Sequence, residues 1–314
     1  MIGNIIALLV MLAAVFGCGW LVLRGSRAQR GLVKWPVVIV FGLVGIVVAL
    51  ITVLAGRGLS IVYTPRNYPV QDIRAAANPE QLARGEHLAD AVCAGCHSTS
   101  QDLPLTGGKN LTDDVGLPLG DMYPPNLTPA SEIAGWTDGE LLRAIRLGTH
   151  KNGRPLLKPI EGLSQMSDAD VQAVIAYLRH EPSVQNTVPE TNPSLLLAVF
   201  LGAGLFNIDA SDSGQPVLAP PKGATLEYGK YLVSFTDCKD CHGANLDGQV
   251  SGPAPAGPDL GLSGKLTLET FISFVRTRGT GPSATATAMP WKQMAKLDDE
   301  ELGAMYLVLS GLNK

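Results

Sequence analysis

Two long apolar runs open the chain, Ile2 to Leu23 and Val37 to Ala55, and residues 1 to 57 contain no Asp or Glu. Each run is near the roughly 20 residues that an apolar helix needs to cross a bilayer, so both are expected to be transmembrane helices. Beyond residue 57 the pattern changes to short amphipathic stretches separated by Gly- and Pro-rich loops. Pro79 to Val92 is an expected helix, with Pro79 early in it and Gly85 at its middle, where a close helix crossing would explain the glycine. Thr137-Asp138-Gly139-Glu140 is a capping box opening a helix that Gly148 ends. Ser167-Asp168-Ala169-Asp170 starts another through Arg179, with Val171, Val174, Ile175 and Leu178 at helical spacing.

The same order then repeats: helices over Leu226 to Thr236 with Gly229, Leu268 to Thr277, and Asp299 to Leu309. An all-α protein is expected: a two-helix anchor (1–57), an extended connector (58–78), a first domain (79–182), a linker (183–224) and a second domain (225–314). Within the linker, Leu195 to Phe206 is apolar but too short to span a membrane. It could cover the interface between the domains, dip into the bilayer surface or meet a partner, and packing on the protein is the favoured reading.

Charge sets the orientation of the anchor. Arg24, Arg27, Arg30 and Lys34 follow the first run rather than precede it, which argues against a cleaved signal peptide and places that loop in the cytoplasm. Everything after Arg57 is then on the outer face of a bacterial cytoplasmic membrane, the periplasmic side. With the five basic residues up to Arg57 set aside, 19 basic face 28 acidic residues, a net charge of −9 that argues against a nucleic-acid partner. Cys18 lies inside the first run and is expected only to pack there.

The other four cysteines form Cys93-Ala94-Gly95-Cys96-His97 and Cys238-Lys239-Asp240-Cys241-His242. In C-x-x-C-H, two thiols can add across the vinyl groups of a haem while the adjacent histidine reaches the iron. Two copies make a zinc site or a disulfide pair a remote alternative and predict two covalently attached haem c groups, with His97 and His242 as iron ligands.

Helix, C-x-x-C-H, loop, helix, ligand loop, helix, over about residues 79–180 and 225–312, resembles the class I cytochrome c fold twice over. That resemblance implies a sixth ligand some tens of residues after each motif, usually a methionine followed by proline. In the second repeat this is Met289-Pro290, with Met294 as a nearby rival. Gly279 lies ten residues before Met289 and Leu297 eight after it; Gly148 and Met166 stand likewise about Lys158, which Pro159 follows. Lys158 thus takes the ligand position of the first repeat, where it could bind only as a neutral amine. Met166, His150 and a five-coordinate iron remain alternatives. The resemblance further implies that the carbonyls of Pro125 and Pro258 accept a hydrogen bond from the proximal histidines. It puts an aromatic residue on each last helix, Tyr177 in the first repeat but Val308, with Tyr306 two residues off, in the second. Arg143 and Arg146 could pair with propionates or form a solvated face. His87 and His180 are expected to be surface or packing residues.

Tyr123 to Pro129, Gly135 to Asp138 and Arg143 to Arg146 are similar to the cytochrome subunits of membrane-bound alcohol and gluconate dehydrogenases. The resemblance implies a non-catalytic subunit relaying electrons on the outer face within a respiratory or photosynthetic complex, with other subunits and a redox protein donor or acceptor as partners. A dihaem peroxidase-like enzyme with a displaceable ligand at the first haem is the alternative. A haem-based sensor is a third reading, which lacks an output domain.

Overall fold

The computed structural model describes residues 2–113, 116–157, 162–206, 208, 215–248, 256–262, 266–281 and 289–312. In chain order its helices are α1 (Ile2–Ser26), α2 (Gly31–Tyr63), α3 (Pro79–Leu88), α4 (Ala94–His97), α5 (Asp138–Leu147), α6 (Asp168–His180), α7 (Leu195–Gly202), α8 (Leu226–Phe235), α9 (Cys238–His242), α10 (Leu268–Thr280), α11 (Trp291–Met294) and α12 (Asp299–Gly311). A single antiparallel pair of two-residue strands, Gly120–Asp121 with Asn192–Pro193, is the sheet content among the described residues. The fold is all-α, and the chain separates into two compact units.

The first unit holds Met1–Thr64, Thr112–Met122 and Glu190–Asn207. α1 and α2 have 25 and 33 residues, about 37 and 50 Å at 1.5 Å per residue, and are long and apolar enough to cross a membrane. Along both, large apolar side chains face outward, with Phe16 77% and Ile46 67% exposed. The helices approach closely at Gly45, where an added Cβ would lie 3.1 Å from the Cβ of Cys18; Cys18 packs, as expected. α2 continues past Arg57 to Tyr63, so the extended connector begins later than the apolar run suggests. The reason is α7. The stretch read as packing on the protein does pack, but on α2 rather than between the haem domains. Gly58 sits on the carbonyl of Ala198 and Gly202 on that of Leu54, leaving no room for side chains at the crossing. Arg57 donates to the Gly202 carbonyl at 2.9 Å, satisfying an end group of α7.

The second unit contains both C-x-x-C-H segments. Its helices begin where side chains can take the free backbone N–H groups: Asn78 before Pro79, the capping box of Thr137 with Glu140, Ser167, Thr225, Thr267, and a second capping box of Asp298 with Glu301. Each repeat has one central crossing. Gly85 of α3 rests on the Ala173 carbonyl of α6, backed by Tyr177; Gly229 of α8 rests on the Ala304 carbonyl of α12, backed by Val308. The valine therefore occupies the place of the aromatic residue, and Tyr306 instead bonds the Leu266 carbonyl at 2.9 Å.

The repeats meet through equivalent positions. Two residues beyond each crossing glycine, a side chain reaches the third residue of the other repeat's last helix: His87 to Glu301 at 2.7 Å, and Tyr231 to Asp170 at 2.6 Å. Arg84 joins both carboxylates, at 2.9 Å to Asp170 and 2.9 Å to Glu301. Glu301 is fully buried, and this pairing, with the Asp298 amide at 3.1 Å, makes its charge tolerable there. Burial alone would raise its pKa, but the His87 hydrogen bond and charge, then the Arg84 hydrogen bond, pull it down to about 2.

Candidate haem sites

In the first repeat α3 widens into a π-turn over Ala89–Cys93 before α4, and this short run carries Cys93, Cys96 and His97. The following loop folds back on the motif. Gly107, in the left-handed region at φ 103°, donates to the His97 carbonyl at 2.8 Å, and Leu127 donates to the Leu105 carbonyl at 2.8 Å. The Asn126 side chain fixes the turn by donating to Val184 O at 2.9 Å and accepting from Thr128 N at 2.9 Å. The loop thereby sets the carbonyl of Pro125 2.9 Å from Nδ1 of His97.

The second repeat builds the same frame. α9 carries Cys238, Cys241 and His242; Gly248 donates to the His242 carbonyl at 2.8 Å, Leu260 to the Leu246 carbonyl at 2.9 Å, and Pro258 O lies 2.7 Å from Nδ1 of His242. Gly257 is required by close approach, since a Cβ there would fall 2.6 Å from the His242 ring. In both repeats Nδ1–H donates to a proline carbonyl, which fixes the tautomer and leaves Nε2 as a lone-pair donor. Burial holds the His97 pKa below its ordinary value, against the opposing pull of the Pro125 hydrogen bond, so the ring stays neutral. Burial also pushes the Cys93 thiol up to about 12.

The residues present fit a haem in each repeat. In the second, an apolar cavity is lined by Cys238, Met289, Met294, Phe271, Trp291 and Met305, so an anchoring thiol and the expected thioether share one greasy slot. In the first, the Nε1–H of Trp136 and the Nε–H of Arg143 are buried donors with no hydrogen-bond partner among the described residues, the kind of donor a haem propionate satisfies. Arg143 and Arg146 are both buried, so they are not a solvated face. Arg143 also donates to the carbonyls of Tyr68, His150 and Lys151, and Arg146 to that of Met166.

Comparison with known families resolves the two repeats separately. Residues 80–178 match the family described as cytochrome c oxidase, cbb3-type, subunit III, and residues 226–310 match the cytochrome c family. The chain carries two cytochrome c domains. Such domains bind haem c covalently and transfer electrons. Relatives include one of the subunits of nicotinate dehydrogenase from Pseudomonas putida, 32% identical over 54% of this chain and 15% of that protein. Another is the fructose dehydrogenase cytochrome subunit of Gluconobacter japonicus, 26% identical over 61% of this chain and 39% of that one. The chain thus spans well under half the length of either relative.

Of the two expected sixth ligands, only Met289 lies among the described residues. Met289 lines the second domain's cavity, and so does its rival Met294. Lys158 and Pro159 lie outside the described residues. Of the alternatives, Met166 is 1% exposed within the core of the first domain. His150 uses both ring nitrogens, Nδ1 at 2.8 Å from Asn152 Oδ1 and Nε2 at 3.2 Å from Glu132 Oε2, with its ring edge-on to Trp136. Both ring nitrogens are thus engaged by neighbouring side chains. His180 donates from Nδ1 to the Ala176 carbonyl at 2.7 Å, one turn back on its own helix, whereas His87 is the interdomain clamp described above. Sequence reasoning missed Trp136 and His87 in these roles. A buried indole after Gly135 was a usable signal for the first, but nothing local pointed to the second.

Proposed function

We propose that the chain is a membrane-anchored dihaem c-type cytochrome that relays electrons on the periplasmic face, as a subunit of a respiratory or photosynthetic complex. The observation that carries this reading is the duplicated frame, a pair of thiols beside a histidine whose Nδ1 meets a proline carbonyl, at 2.9 Å in one domain and 2.7 Å in the other. Cys93, Cys96, Cys238 and Cys241 would hold the two haems, His97 and His242 the irons from one side, and Met289 and Lys158 from the other. When bound, each haem supplies one-electron chemistry between ferrous and ferric iron. The chain's own residues orient the histidines, exclude water and set the two potentials apart. With a thioether from Met289 on the second iron and an amine from Lys158 on the first, the second haem would have the higher potential and would take electrons from the first.

Support for the anchor and its orientation comes from the short turn between α1 and α2. Arg24 stacks 5.0 Å from the Trp20 ring and Lys34 5.6 Å from Trp35, an arrangement of aromatic and basic residues suited to a membrane surface on the cytoplasmic side. Both relatives are dehydrogenase subunits by name, which favours a dehydrogenase as donor. The full chain, purified in detergent from the membrane fraction, should carry two haems c by pyridine haemochrome absorbance against protein mass. It should titrate in two one-electron steps at separate potentials. One haem per chain, or one potential shared by both, would overturn the relay.

A further inference from the structure

We propose that Asp237, which stands next to the second haem motif in sequence, is a positioning residue for the ligand side of the first haem. The inference rests on the reading that both motifs carry haem, and adds a crossed arrangement to it. Asp237 Oδ1 accepts a hydrogen bond from the backbone N–H of Gly162 at 2.6 Å, across 75 residues of sequence. Gly162 opens the 3-10 turn Gly162–Gln165, the segment between position 158 and the buried Met166. No side chain could replace its hydrogen, because a Cβ would meet the Asp237 carboxylate and lie 2.9 Å from both Phe235 Cα and Ser234 O.

The converse contact exists as well. α11, the turn that follows Met289 in the second domain, packs on the first motif, with the place of a Gly95 Cβ only 3.1 Å from Gln293 Cδ. Gly162 stands four residues after position 158 as Gln293 stands four after Met289. Each ligand-side turn is therefore seated on the other domain's haem segment. Lys292 and Lys296 of the second domain tie down the first by pairing with Asp102 at 2.6 Å and Asp90 at 2.5 Å. Asp237 itself is left-handed, at φ 53° and ψ 26°, a conformation that Asp, Asn and Gly adopt with least strain.

That conformation defines the test in the full chain in detergent. Asp237→Asn keeps the acceptor and removes the charge, whereas Asp237→Gly keeps the backbone and removes the acceptor. Loss of one buried hydrogen bond corresponds to about ten-fold in local opening. Amide hydrogen exchange over Gly162–Gln165 should accelerate by that factor in Asp237→Gly and stay at the wild-type rate in Asp237→Asn. In Asp237→Gly the rate at which carbon monoxide binds the reduced first haem should change, while the ferric thioether band of the second haem does not. Unchanged exchange in Asp237→Gly, or an effect confined to the second haem, overturns the proposal. Should Asp237→Gly not fold, rapid exchange of the Gly162 amide in the wild type overturns it equally. A wild-type chain with fewer than two haems would sink the dihaem reading instead, and the exchange comparison, which needs no haem count, would still judge Asp237.

Discussion

The two cytochrome c domains share a backbone plan and differ in what fills it. Both cross their first and last helices on a glycine, both turn a proline carbonyl onto a histidine, and both cap the last helix with an oxygen side chain. Where the first has Tyr177 and Glu181, however, the second has Val308 and Leu312 at the matching positions of the last helix. Where the first buries the polar side chains of Asn126, Thr128 and Arg143, the second presents an apolar slot. The scaffold is thus fixed by close backbone approaches, and the character of each site is set by side chains that the scaffold leaves free.

The sharpest break in this pseudo-symmetry is Arg84, whose counterpart one residue before the crossing glycine is Tyr228. Arg84 serves the carboxylates of both domains and donates to the Tyr228 hydroxyl at 3.0 Å. Arg84→Met leaves fully buried Glu301 with His87, the Tyr228 hydroxyl and the Asp298 amide but no guanidinium, and should cost about 3 kcal/mol, read as a fall in the denaturation midpoint of the tandem. The sign with pH follows from the depressed carboxyl. Glu301 titrates near 2 in the fold against an ordinary 4.5, so its stabilisation is complete above about 4.5 and is lost as pH falls toward about 2. In Arg84→Met the folded carboxyl titrates closer to its ordinary value, so that acid-side loss should still begin near 4.5 but be smaller and end at a higher pH. A variant with wild-type stability at neutral pH would show that the clamp is ornamental.

A smaller effect tests the shared part of the plan. Gly85→Ala and Gly229→Ala each drive a methyl into a backbone carbonyl, which cannot yield as a flexible side chain could. Each should cost about 2 kcal/mol by separating the helices at the crossing. The costs should be alike, because the obstructing atom is a carbonyl oxygen in both domains. A difference larger than the measurement error in thermal melts would mean that Tyr177 and Val308, not the carbonyls, govern the fit.

Local features of this plan were legible in the sequence. The capping box at Thr137, the helix start at Ser167, the glycine crossing at Gly85 and the paired proline loops depend on neighbours within a helix turn or on a repeated motif, and such signals survive without coordinates. What escaped depends on surfaces brought together by folding. Arg84 and Glu301 are 217 residues apart, and no periodicity announces that a charged residue on one helix completes another. The length of α2 beyond Arg57 was hidden for the same reason, since α7, more than 130 residues later, covers it. That Glu132 and Asn152 both meet the His150 ring is likewise invisible in the sequence.

The subtlest contrast between the domains is Glu181, a carboxyl where the second domain has Leu312. Glu181 is 4% exposed; its Oε2 accepts from the Leu105 amide at 3.0 Å, while Oε1 has no hydrogen-bond partner among the described residues. Burial raises its pKa to about 7, with the Leu105 hydrogen bond opposing. The folded chain therefore keeps this proton where the unfolded chain has lost it. Stability contributed at this site falls as pH rises from about 4.5 to about 7 and is level above. Glu181→Gln retains an acceptor for Leu105 and removes the ionisation, so it should stabilise the chain by about 1–2 kcal/mol at pH 8 and leave it nearly unchanged at pH 4. Denaturation midpoints of the two proteins across that range would show it. Equal midpoints at pH 8 would mean that water or a partner already satisfies the charge, and the two domains would then be alike in their response to pH despite the substitution of carboxyl for leucine.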